Sequence, residues 1–151
     1  MKPARVLLVL ALLALLARYV RLNLTGSVAR GFYWVTHTAP ERRDLAQVQP
    51  TGERWARWWG GPPPSLAKRI AAVAGDRVCV EPIQSSCRLL VAGREVGQAV
   101  ARGRCARRGC SIVPAGEIWL VGDAAQSDDS RAFGPVPANA VAGHLVPLLT
   151  E

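Results

Sequence analysis

A chain of 151 residues, half of them hydrophobic, has room for one domain with a sizeable core and at most an appendage. Nineteen lysines and arginines against eleven acids leave a net charge of +8, which calls for an anionic partner. The cations are scattered, with knots only at Arg42-Arg43 and residues 102–108. Neither a basic helix nor an aromatic stacking platform goes with them, so phospholipid headgroups are the expected partner rather than nucleic acid.

The chain opens on an unbroken apolar run, residues 6–17, between Arg5 and Arg18. As a helix it covers about 18 Å, against about 30 Å of bilayer hydrocarbon. No small-x-small cleavage pattern follows it. With Arg18 and Arg21 snorkelling, Tyr19, Val20, Leu22 and Leu24 would extend it, so residues 1–22 read as an uncleaved signal anchor. Charge does not fix its orientation, because Lys2 and Arg5 face Arg18, Arg21 and Arg30 across it.

Beyond the anchor, Thr25-Gly26-Ser27 is a small polar loop, and Asn23-Leu24-Thr25 also matches an N-glycosylation pattern. Residues 33–38 alternate as a strand. His37 and His144, the chain's two histidines, lie in no recognisable setting, which leaves a Ser-His-Asp triad poorly supported. Residues 53–59 (ERWARWW) read as a short helix stopped by Gly60-Gly61. Trp55, Trp58 and Trp59 share one side of it, either as core or as a patch at a bilayer interface.

Residues 66–76 (LAKRIAAVAGD) read as a strand buried on both faces and ending in a Gly75-Asp76 turn, with residues 78–81 continuing the sheet. A lysine at the head of such a strand, Lys68, either snorkels to water or is held dry with its pKa depressed. Strand alternation puts Arg69 on the opposite face. Residues 89–96 read as a hairpin turning at Ala92-Gly93-Arg94, and residues 102–108 as a solvated basic loop. A turn at 114–116, a strand at 118–121 and a polar loop follow. The chain is thus mostly β, a compact antiparallel barrel or sandwich. Cys79, Cys87, Cys105 and Cys110 lack CxxC or histidine company, so they read as disulfides of an oxidising compartment rather than as a zinc site. Of three pairings, the local one, Cys79–Cys87 with Cys105–Cys110, is expected.

Three blocks in order, at residues 23–33, 68–76 and 122–136, resemble the signal peptidase I family of membrane-bound serine proteases. The KR-x4-GD pattern (Lys68, Arg69, Gly75, Asp76) and GD…S-x-DSR-x-FGPV carry the likeness. N-x-T-x-S followed by G-x-Y is similar to the conjugal-transfer pilin-processing branch, although Ala29 stands where proline is usual, and the chain is too short for a large second β-domain. The resemblance implies a β catalytic domain over residues 23–151 on the extracytoplasmic side of the cytoplasmic membrane, with no cofactor or metal. It implies Ser27 as nucleophile and Lys68 as general base. Thr25 would be an oxyanion donor and Ser127 the group that orients the lysine. Asp129 and Arg131 would form a structural ion pair, with Asp123 bracing the same loop; for a role in peptide cyclisation it does not choose between Asp128 and Asp129. Partners would be exported precursors, a pilin precursor among them, and membrane lipid. A non-catalytic, membrane-tethered β-domain of a secretion or transfer assembly is the alternative.

Overall fold

The structure, a computed structural model, describes residues 3–38, 41–83, 86–96, 105 and 108–151. Helix α1 (Pro3–Tyr19) leads into β1 (Val20–Asn23), β2 (Gly31–Thr36) and β3 (Leu45–Val48). A short helix α2 (Glu53–Trp59) then precedes β4 (Leu66–Ala72). Next come β5 (Arg77–Ile83), β6 (Ser86–Val91), β7 (Arg94–Glu95), β8 (Gly109–Ile112) and β9 (Glu117–Val121). The chain closes with α3 (Ser130–Phe133), β10 (Val136–Pro137) and β11 (Val141–Thr150). Seven strands form a curled antiparallel sheet in the order β1-β2-β11-β3-β4-β9-β10, and four form a second sheet in the order β7-β6-β5-β8. The mostly β, antiparallel expectation therefore holds.

β4 is the spine of the large sheet. Ile70, Ala71 and Ala72 are all buried: Ile70 packs with Ala46 and Leu120, while Ala71 packs with Val91 and Val121 in a separate cluster. A strand with a core on each face needs such an apolar run. The chain then turns at Gly75 (φ 88°), with the Asp76 carboxylate accepting from Val73 N at 2.9 Å. This turn carries residues 78–81 out of the large sheet and into the second one, so they do not continue β4's sheet. The predicted hairpin forms around Ala92 (φ 50°) and Gly93 (φ 78°), the left-handed pair that a two-residue type I′ turn demands.

Two further expectations are corrected. The disulfides are Cys79–Cys110 and Cys87–Cys105. Register decides this: Cys79 sits directly opposite Cys110, whereas its neighbour on β6 is Leu90 and that of Cys87 is Pro82. Three positions along a strand amount to about 10 Å, beyond the reach of a disulfide. The apolar continuation of the helix is the second. α1 stops at Tyr19, whose ring stacks on Trp34 at 5.3 Å, and Arg21 caps the last turn by donating to Ala17 O at 2.6 Å. Val20 and Leu22 belong to β1, and no helix among the described residues is long and apolar enough to cross a membrane. The basic loop expected at 102–108 falls almost wholly outside the described residues.

Of the α2 tryptophans, Trp55 is core, Trp59 is partly buried beside it and Trp58 is exposed. Trp55 is buried edge-on against Phe133 at 5.1 Å, with Trp58 and Trp59 each 5.8 Å from the same ring. Gly60, left-handed at φ 68°, ends the helix.

Candidate active site

The site forms where the loop after β1, the head of β4 and the loop after β9 converge. Asn23, buried at the end of β1, organises the first loop. Its amide Nδ2 reaches the carbonyls of Thr25, Val28 and Ala29 at 3.1, 3.2 and 3.0 Å, and its Oδ1 accepts from the Thr25 hydroxyl at 2.7 Å. Tyr33 Oη donates to Ala29 O at 2.6 Å, and the buried Val28 side chain pins the loop to Tyr33, Val35 and Leu145. From the far side, Asp123 N donates to Ser27 O at 2.6 Å. Ser27 is thus fixed fore and aft.

Lys68 is 2% exposed, and its Nζ lies 2.8 Å from Ser27 Oγ and 2.6 Å from Ser127 Oγ. Burial pushes the amine down from 10.5 to about 8, against the opposing pull of the Asp129 and Asp128 carboxylates. Arg69, its neighbour, points the other way and pairs with Asp123 at 3.4 Å on a half-exposed surface. The alternation expected along β4 is what separates the two cations.

The third segment is built to hold Ser127. Asp129 and Arg131, both fully buried, form an ion pair at 2.5 Å. The Asp129 carboxylate also accepts from Gly122 N at 2.8 Å and, as N-cap of α3, from Arg131 N at 3.0 Å. Arg131 Nη2 donates to Gly122 O and Ala124 O, and Ser130 Oγ accepts from Leu120 N at 2.8 Å. Gly122 is required by space. A Cβ there would meet Ser127 Oγ at 2.0 Å and Ser27 O at 2.9 Å.

Every site residue expected from the sequence therefore lies in this cluster or braces it. Thr25 is exposed at its rim with its hydroxyl committed to Asn23, and Asp123 braces by backbone as well as by ion pair. Asn23, Tyr33, Gly122 and Ser130 were missed as parts of the site. Their roles depend on contacts that local sequence does not announce, though all four stand in the quoted patterns, Asn23 and Tyr33 in N-x-T-x-S with G-x-Y, Gly122 and Ser130 in GD…S-x-DSR.

A cavity of about 390 Å³ ends at Ser27 and Lys68, walled by Leu22, Tyr33, Leu66 and Leu145 among others. β9 pairs with β4 only from Arg69 onward, so residues 66–68 leave one strand edge free toward it. β1, one of the two edge strands of the sheet, supplies a second edge. Chemically, the cluster offers a hydroxyl, a buried amine whose pKa is lowered to about 8, and backbone positions for an extended peptide.

No curated protein gives a match. Among solved structures, a signal peptidase I from Enterococcus faecalis V583 is similar, at 21% identity, with a TM-score of 0.46 over 74% of this chain and 100% of that one. The family model described as signal peptidase, peptidase S26, matches residues 3–149. With that match running from the start of α1 into the last strand, β11, the chain belongs to the S26 signal peptidases, serine peptidases that cleave exported precursor proteins.

Proposed function

We propose that Ser27 and Lys68 form a catalytic dyad that cuts exported precursors through an acyl-enzyme. One observation carries the reading: a buried amine with a depressed pKa stands 2.8 Å from a serine hydroxyl. Once neutral, Nζ accepts the Ser27 proton while one of its own N–H groups donates to Ser127 Oγ, which aims the lone pair at Ser27. Oγ attacks the scissile carbonyl, and the resulting ammonium returns a proton to the leaving amine. A water, deprotonated by the same amine, then releases the acyl group. The Ser27 N–H stabilises the oxyanion, joined by the Thr25 hydroxyl once it turns away from Asn23. The substrate lies extended in the cavity along the free edge of residues 66–68, gaining affinity from backbone hydrogen bonds.

The finer reading is a pilin-processing enzyme attached to the outer face of the cytoplasmic membrane. Two rows of side chains, Leu22-Phe32-Leu149 and Val20-Trp34-Val146, run across β1, β2 and β11, and five of the six members are exposed large hydrophobics. They continue the exposed leucines of α1 and favour a lipid-facing sheet. Disulfides favour the oxidising side. Incubating the full chain with a conjugative pilin precursor and with an ordinary secretory preprotein is the test. The pilin is expected to be processed with kcat/KM at least about tenfold higher. Equal rates would make this a general signal peptidase.

A further inference from the structure

On the face of β4 opposite Lys68 lies a second cavity of about 620 Å³, between the large sheet and the β6–β7 hairpin. Its floor includes Val91 and Val121, and its rim carries four arginines, Arg42, Arg43, Arg69 and Arg94. Asp76 pairs with Arg42 and Asp123 with Arg69. Among the described residues, Arg43 and Arg94 have no acidic partner and are exposed. Arg43 also occupies a turn position with φ 78°, a conformation that glycine adopts freely and arginine does not. That backbone is held by Arg43 N donating to Ile70 O at 2.8 Å and by Arg69 Nη1 donating to Arg43 O at 3.2 Å. A side chain kept in a disfavoured turn, aimed at a rim with spare positive charge, points to an anion.

We propose that this cleft takes an acidic segment of the precursor, on the far side of the scissile bond from the cavity at Lys68. The inference rests on the protease reading for its biological use, but its chemistry does not need the dyad. Asp123 links the two regions: its N–H holds Ser27 O, and its carboxylate holds Arg69. A chain leaving Ser27 passes Asp123, and each extended residue advances it about 3.3 Å, so a few residues reach the rim. Carboxylates suit guanidinium forks, and the apolar floor accepts the aliphatic stems between them.

The test is fluorescence anisotropy on the full chain with a labelled alanine peptide carrying consecutive glutamates, and with its glutamine counterpart. The glutamate peptide is expected to bind about tenfold tighter at low salt, a preference that fades near about 1 M salt as the screening length shrinks. The combined variant Arg43→Gly with Arg94→Ser, which keeps the turn and touches no group of the dyad, is expected to erase the preference. Equal affinities in the natural chain overturn the proposal, as does a preference that survives in the variant. Loss of phosphatidylglycerol-vesicle binding in the variant, with no discrimination between the peptides, also overturns it and assigns the cleft to lipid. Should the charge preference stand while no precursor is cleaved, the protease reading fails and the cleft remains.

Discussion

Ser27→Ala and Lys68→Met are each expected to lower precursor cleavage by about 10⁴-fold or more, measured as kcat/KM on the full chain. Nucleophile and base act as one unit, so the double variant should fall little further. Their effects on stability should diverge. Ser27→Ala removes a half-buried hydroxyl and is expected to be close to neutral. Lys68→Met should stabilise. The amine titrates near 8 when folded and near 10.5 when unfolded, so between those values the unfolded chain binds more protons and stability rises with pH. Below pH 8 the penalty for burying the charge is fully present, about 3 kcal/mol by the pKa difference. A methionine of similar length avoids it but leaves Ser127 without its partner, for a net gain of about 1–2 kcal/mol at pH 7. A variant that melts higher and no longer cuts is a signature that a merely structural lysine would not give. If Lys68→Met retained cleavage, the dyad would be discarded.

Asp129→Ala is expected to cost about 3–5 kcal/mol, because it strands the fully buried guanidinium of Arg131 without its counter-charge. It also removes the cap of α3 and the acceptor for Gly122 N, so the loop that carries Ser127 should loosen. Against a typical domain stability of about 5–15 kcal/mol, a loss of that size brings the chain close to unfolding. Replacing both partners, Asp129→Leu with Arg131→Met, should recover part of the loss, since no buried charge is then left alone. Asp123→Asn is the control. Its ion pair with Arg69 is exposed, and the substitution should cost less than about 1 kcal/mol. Urea denaturation of the three variants checks the ranking, and an Asp129→Ala midpoint close to that of Asp123→Asn would refute the assignment.

What could be read from the sequence were features of short range or period. The apolar run at 70–73 announces a strand with two buried faces, and period two sends Lys68 and Arg69 to opposite sides of it. Ala92-Gly93 announces its hairpin, and Gly60 the end of α2. The spacing of Ser127, Asp129 and Arg131 was informative through the resemblance of the block. The disulfides escaped because pairing follows the register of β5 against β6 and β8, which no cysteine spacing encodes. The end of α1 escaped because Tyr19 is held by Trp34 of β2, a contact that outweighs the apolar pattern beyond it. Asn23 and Gly122 escaped for the same kind of reason. An asparagine that binds three carbonyls looks like any loop asparagine until the loop folds back on it. A glycine that makes room for a serine cannot be told from one that merely turns.

The proposed dyad depends on the proton affinity of one amine. Titrating Lys68 Nζ by NMR in the full chain, with Lys68→Met to assign its signal, measures it directly. A midpoint near 8, matched by a rise in cleavage over the same pH range, is the predicted result. A midpoint above about 10, where an ordinary lysine titrates, would contradict it.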